Sequence, residues 1–191
     1  MSSDEQKARI CEGSGKLERP RHNQQGHNRR LSRLLRAFGD FRRTRFLGVF
    51  ARHVRQPWWF FDELVRLEQE SPGSLDPVSK LIPIDKTFEF SVADFEERLK
   101  EVLIPYAERI KSGSFYVRIE RRGHKGEIHS QHVEQDLGHM LIEHLEASGH
   151  APSLTFNDPD FILVVETLDE TCGVAALPRD VRERFPVIRV H

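Results

Sequence analysis

Residues 115–126 read FYVRIERRGHKG. In the first half Phe115, Val117 and Ile119 alternate with Tyr116, Arg118, Glu120 and Arg122. A period of two predicts a strand over 114–121 with one face against a core. In the second half Gly123 and Gly126 bracket His124 and Lys125. Glycines so spaced let a turn show its backbone N–H groups to an anion without obstruction by side chains. Arg121, Arg122 and Lys125, with the start of a following helix capped at Ser130, would add donors for a phosphate. The competing reading is a solvated basic turn whose glycines serve geometry alone, and composition by itself favours it.

Outward from this stretch, elements alternate. Upstream, LIPIDKTFEF (81–90) reads as a strand, with Pro83 demanding an edge or a bulge. Ser91 and Asp94 have the spacing of a capping box for a helix over 92–111, with an inward stripe of Phe95, Leu99, Val102, Leu103, Tyr106 and Ile110. Downstream, a helix over about 130–148 is followed by short strands at 153–156 and 172–177 around FILVVETL (161–168), which is apolar enough for a central strand. Further upstream, residues 29–38 place Leu31, Leu34, Leu35 and Phe38 on one helical face, and RTRFLGVFARHV (43–54) reads as a strand. Pro57 opens a helix that buries Trp58, Phe61, Leu64 and Val65. SPGSLDP (71–77) is the best domain boundary by composition. Residues 1–28 show no period and are expected to be a disordered tail. GSGK (13–16) lacks the remaining glycine, the Ser/Thr and the strand of a phosphate loop. The sum is an α/β layer architecture.

The 191 residues carry a net charge of −1, which hides strong segregation. Residues 16–55 hold twelve Lys/Arg against two acids, and 127–170 hold ten acids with no Lys/Arg. That pattern suits a molecule with one positive face. No apolar run is long enough to span a bilayer, and no apolar signal core stands at the N-terminus. A soluble, cytoplasmic protein without membrane partners is expected. Cys11 and Cys172 lie far apart and suggest neither a disulfide nor a zinc site.

From about Val78 to Arg184 the chain resembles the THUMP domain, an RNA-binding module of thiouridine synthases, RNA methyltransferases and pseudouridine synthases. SFYVRIERRGHKG, HSQHVEQDLG (129–138), LTFNDPDFILVVE (154–166) and TCGVAAL (171–177) carry the resemblance through their order and spacing. VVETLDETCGVAALPRDVRERFPVIRV looks closest to a stand-alone adaptor that helps an acetyltransferase make N4-acetylcytidine in tRNA. The resemblance implies a THUMP-like α/β domain over 78–191 after a small ferredoxin-like α/β unit over 29–77. It also implies binding of tRNA or another structured RNA, at the acceptor stem and 3′ end. The expected first strand of the N-terminal unit is missing from the pattern, where only the polar ARICEGSGKLERPRHNQQG precedes the helix at Arg29. No glycine-rich loop for S-adenosylmethionine, phosphate loop or catalytic domain is recognisable. The expectation is therefore a non-enzymatic module, without cofactor, working beside an RNA-modifying enzyme.

The expected RNA contacts are Arg118, Arg121, Arg122, His124 and Lys125. Arg42, Arg43 and Arg45 form a second group (with Arg29, Arg30, Arg33 and Arg36), and Arg179 and Arg182 a third (with Arg184 and Arg189). Trp58, Trp59, Phe60 and Phe61 could stack bases, but core filling is preferred at a helix start. His132, Asp136, His139 and Glu143 share a helix face, so a metal-dependent hydrolase is the rival reading, against the lack of a third inward ligand. A protein-interaction domain without RNA binding is a second rival. His144 belongs to the core edge. Glu166, a carboxylate in an apolar strand, calls for an arginine partner.

Overall fold

In the computed structural model of the chain, residues 8–11, 33, 35–38, 42–46, 49–54, 56–76 and 78–190 are described. They divide into two units. Residues Met1–Asp85 with Arg184–His191 form one, and Lys86–Glu183 form the other.

The first unit is built on β1 (Ala8–Cys11), β2 (Arg42–Arg43), β3 (Phe50–Val54), α1 (Pro57–Glu70) and β4 (Ile82–Ile84). Helical backbone at Arg33 and at residues 35–37 lies between β1 and β2. The sheet order is β2-β3-β1-β4 with every pair antiparallel. That order and succession are those of the ferredoxin-like split βαβ arrangement. The strand missing from the sequence pattern is therefore ARIC, inside the stretch expected to be a tail. Four residues are too few to display a period, yet Ala8–Cys11 pairs with both β3 and β4. The single strand expected over 43–54 is instead a hairpin. Arg42 faces Ala51, and the turn closes through the Thr44 N–H to the Val49 carbonyl at 3.0 Å.

Pro57 stands in the first turn of α1, where its missing N–H costs nothing. Phe60, Phe61 and Leu64 are fully buried on its inner face. The expected boundary at 71–77 lies inside this unit. The Glu68 carboxylate accepts the N–H groups of Gly73 at 2.6 Å and Leu75 at 2.8 Å, which folds the loop back onto α1. The chain changes units at Asp85 instead, so LIPIDKTFEF is two strands in two sheets. Its first half is the edge strand β4, where Pro83 is tolerated. Residues from Arg184 onward return to the first unit. The Val187 carbonyl accepts the Leu81 N–H at 2.9 Å, and the buried Phe185 lies 5.3 Å from Phe61.

The second unit comprises β5 (Lys86–Glu89), α2 (Phe95–Ile110), β6 (Ser114–Arg122), α3 (Ser130–Ala147), β7 (Ser153–Leu154), β8 (Phe161–Leu168), β9 (Thr171–Pro178) and all but the last residue of α4 (Arg179–Arg184). The sheet order is β5-β9-β8-β6-β7. Strand β6 runs parallel to β7 and β8, with α3 as the crossover, while β8 and β9 form an antiparallel hairpin. Phe115, Val117 and Ile119 pack with Leu163, Val165 and Val174 against Leu99 and Leu103 of α2 and Leu137 and Leu141 of α3. Strand β8 is buried from Ile162 to Thr167, which explains its near-continuous apolar run.

Ser91 and Asp94 form the expected reciprocal pair before α2. The Ser91 N–H donates to the Asp94 carboxylate at 2.6 Å, and the Asp94 N–H donates to the Ser91 hydroxyl at 3.3 Å. At α3 the expectation differs by one residue: His129 holds the cap position without a side-chain cap, and Ser130 is already helical.

Candidate nucleic-acid interface

The end of β6 and the turn after it are shaped by steric demand. Gly123 has φ +100°, and a Cβ there would meet Asp169 at 3.2–3.3 Å. His124 also takes a left-handed conformation at φ 50°. The His124 carbonyl accepts the N–H groups of Glu127 at 3.1 Å and Ile128 at 3.2 Å. Those two N–H groups are therefore engaged within the turn, which narrows the backbone cradle expected for an anion.

The cations of β6 and of this turn part into two kinds. Lys125 is exposed at its tip. Arg118 projects from the opposite face of β6 to Val117, with its side chain 44% exposed and its guanidinium 3.8 Å from Glu134. Arg121 is half-buried and donates to the Gly123 carbonyl at 2.6 Å, so it clamps the turn. Arg122 is the internal one. Its side chain is 11% exposed and reaches both Glu166 and Glu120 at 2.5 Å.

Glu166, in the interior of β8, has thereby found the arginine its sequence context demanded. Arg122 was expected to contact RNA, but its charge is neutralised by two carboxylates within the fold. The same strand register that faces Glu120 to Glu166 brings Arg122 to this pair. His124 is mostly covered, with Nδ1 3.3 Å from Glu127 and the ring edge against Phe90 at 5.7 Å. It supports the turn more than it offers a donor.

The second predicted group within this unit is also tied to the fold, although the Arg179 side chain stays 37% exposed. Arg179 Nε lies 3.2 Å from Asp158, and its Nη2 lies 3.3 Å from Asp160. Arg182 donates to the Pro159 carbonyl. Asp160 accepts the Ser114 N–H at 2.8 Å and the Ser114 hydroxyl at 2.7 Å. These two hydrogen bonds, with Arg179 and Arg182 nearby, hold its carboxyl below the usual aspartate range. The arginines at 179 and 182 thus brace the Asn-Asp-Pro-Asp turn.

Beside that turn Phe156 stands 81% exposed, with its ring centroid 5.0 Å from that of Tyr116. Burial raises the Tyr116 hydroxyl above its ordinary range. Sequence reasoning missed this pair. Period-two reading places Tyr116 on the outer face of β6, but nothing local says that a loop forty residues away returns beside it.

In the first unit Arg42 and Arg43 form β2, and their side chains lie outside the described part of the structure, as do Arg29 and Arg30. Arg45 is exposed, with its guanidinium 5.2 Å from the Phe46 ring centroid. Arg33 and Arg36 are exposed. The aromatic run divides: Phe60 and Phe61 fill the core as expected, whereas Trp58 is 36% and Trp59 56% exposed. Trp58 stacks on Phe185 at 6.0 Å, and Trp59 tilts against Phe38 at 4.8 Å.

On α3, His132 lies 3.4 Å from Asp136, His139 is exposed and His144 half-buried. Among the described residues no group of three or more His, Cys, Asp and Glu side chains converges as metal ligands do. Cys172 is a free buried thiol whose ionisation burial opposes. No helix of the described residues is long and apolar enough to cross a membrane.

This five-stranded unit, with its parallel β6–β8 pair and the strand-end turn, coincides with the match of residues 86–176 to the family model for the THUMP domain. The chain carries a THUMP domain over those residues. A tRNA sulfurtransferase of Pectobacterium atrosepticum is 24% identical over 163 residues, covering 74% of this chain and 33% of the relative. The chain therefore spans about a third of that enzyme's length. Among solved structures, TrmN from Thermus thermophilus superposes with a TM-score of 0.57 at 17% identity, over 88% of this chain and 45% of that one. A 4-thiouridine synthetase in complex with RNA and bound ATP gives a TM-score of 0.51 at 16% identity, over 90% of this chain and 41% of that one. Both share the fold.

Proposed function

We propose that the chain is a non-catalytic module that binds tRNA, or another structured RNA, in the cytoplasm and presents it to a separate base-modification enzyme. A cytidine acetyltransferase is the partner favoured by the sequence of its last third. The observation that carries the reading is the outward projection of Arg118 from the middle of β6 and of Lys125 from the turn that follows it, in a THUMP domain. Such cations bind the phosphate backbone through charge and counterion release, without reading base edges. A duplex end is recognised by its A-form shape and phosphates, because its deep groove admits no side chains. The matched relatives support the RNA class: one is a tRNA sulfurtransferase, and one was solved bound to RNA.

Titration of labelled tRNA with the full chain tests this reading. Binding that weakens steeply as salt rises is expected. Arg118→Ala and Lys125→Ala should each lower affinity by roughly three- to tenfold, uniformly across RNA sequences. Absence of binding at low salt would refute the reading. A partner enzyme is tested by asking whether the chain raises modification of the same tRNA by a cytidine acetyltransferase in vitro.

A further inference from the structure

We infer that the first turn of α1 is a protein-docking surface: Trp58 and Trp59, with Arg33 and Arg36 on the adjoining helical stretch, take an acidic segment of a partner protein that presents an aromatic or aliphatic side chain. The inference concerns the first unit and a protein ligand, so it does not depend on the RNA-binding reading above.

Apolar surface is the first observation. Trp58 is 36% and Trp59 56% exposed, although an indole is on average a well-buried side chain. Single apolar residues on a surface are ordinary, whereas two indoles on successive positions make a patch. At 3.6 residues per turn they cover about 100° of the helix surface with ring area. The core beneath is already filled by Phe60, Phe61 and Leu64 of the same helix, each fully buried.

The rings are also held still. Trp58 stacks on the buried Phe185 with centroids 6.0 Å apart at 16°, and lies 6.0 Å from Phe61. Trp59 tilts against Phe38 at 4.8 Å, and Phe38 meets the edge of Phe60 at 4.8 Å. The Phe60 N–H donates to the Gln56 carbonyl at 3.1 Å and fixes the start of the helix. Side chains rooted in a core in this way give up little freedom on binding. Tryptophan and arginine are the residue types that most often carry the energy of protein interfaces.

Charge selects the partner. Phe38 follows directly on the helical stretch that carries Arg33 and Arg36, both exposed and spaced to share one side of it. Asp40 is the single acid in the sequence between Arg33 and Val54. The carboxylates in the first half of α1 are engaged, Asp62 by Arg184 at 2.6 Å and Glu63 by Arg66 at 2.5 Å. A positive border beside an apolar centre fits a ligand that carries carboxylates around an apolar side chain. The phosphates of a duplex would use the arginines and leave both indoles in water, so the tryptophan pair favours protein.

Trp58 and Trp59 are the only tryptophans of the chain, so its intrinsic emission reads this surface alone. The probes are a short synthetic peptide in which glutamate alternates with leucine and phenylalanine, and the same peptide with lysine for every glutamate. Added to the full chain, the acidic peptide should shift the emission to the blue and saturate, and the lysine peptide should not. Trp59→Ala, followed through Trp58, should weaken acidic-peptide binding by about tenfold or more, and Trp59→Phe should recover most of it. Thermal melting should show both variants folded, because the side chain is more than half exposed, and tRNA affinity should be unchanged in Trp59→Ala. No shift with the acidic peptide, or an equal shift with the lysine peptide, would overturn the inference. So would a loss of tRNA affinity in Trp59→Ala, which would give the indoles to RNA. Titration of wild type with tRNA judges the phosphate-docking reading separately, whatever the peptides do.

Discussion

Two regions of the second unit look alike in the sequence and differ in the fold. The turn after β6 and the Asn-Asp-Pro-Asp turn with its α4 partners each bring arginines to one end of an element. At the first, Arg118 and Lys125 face outward while Arg122 is enclosed by Glu120 and Glu166. At the second, Arg179 and Arg182 fasten the turn, and what is shown to solvent is a phenyl ring. Positive charge in a sequence therefore marks two different jobs. Which job an arginine performs depends on how closely the fold's own acceptors engage it: Arg118 stays 44% exposed with Glu134 only at 3.8 Å, whereas Arg122 is 11% exposed and meets two carboxylates at 2.5 Å.

The contrast can be broken most forcibly at the enclosed arginine. Arg122→Ala removes the guanidinium that meets the buried Glu166 carboxylate and should cost about 3–5 kcal/mol in chemical denaturation. Replacing both members, as Arg122→Met with Glu166→Leu, should recover most of that loss. A loss well under 1 kcal/mol in the single variant would mean Arg122 is as free as Arg118.

Gly123→Ala forces a side chain into a left-handed conformation against Asp169, and should cost about 1–2 kcal/mol. Asp160 predicts a pH effect on the second region. Its carboxyl is held below the ordinary range, so the stability it contributes is present above the unfolded value near ~4 and is lost as pH falls through the lower folded value. The melting temperature of wild type should fall more steeply on acidification in that window than that of Asp160→Asn, and parallel curves would dismiss the brace. The smallest effect on stability belongs to the outward cations. Arg118→Gln and Lys125→Gln should each stay within about 0.5 kcal/mol of wild type.

Much of the THUMP domain was legible in the sequence because its elements are long. Strand β6 shows three full alternations, β8 an apolar run of five residues before Glu166, and α2 a complete inward stripe with its capping pair. The first unit was read less well for the opposite reason. Strand β1 has four residues and β2 has two, so neither displays a period, and only pairing across the sheet defines them. The 71–77 loop misled because composition cannot show Glu68 folding the segment back.

Of the candidate site, the cation positions were legible and their partners were not, except for Glu166, whose burial in an apolar strand demanded one. The exposed ring of Phe156 was invisible because its neighbour Tyr116 lies forty residues away in the chain.

The most direct measurement is the salt dependence of tRNA affinity for the Arg118→Gln/Lys125→Gln double variant beside Arg179→Gln. If the outward cations carry the phosphate contacts, the slope of log affinity against log salt should flatten by about two for the double variant and hold for Arg179→Gln. An unaltered slope in the double variant, or a flattening confined to Arg179→Gln, would contradict the division between outward and inward charge.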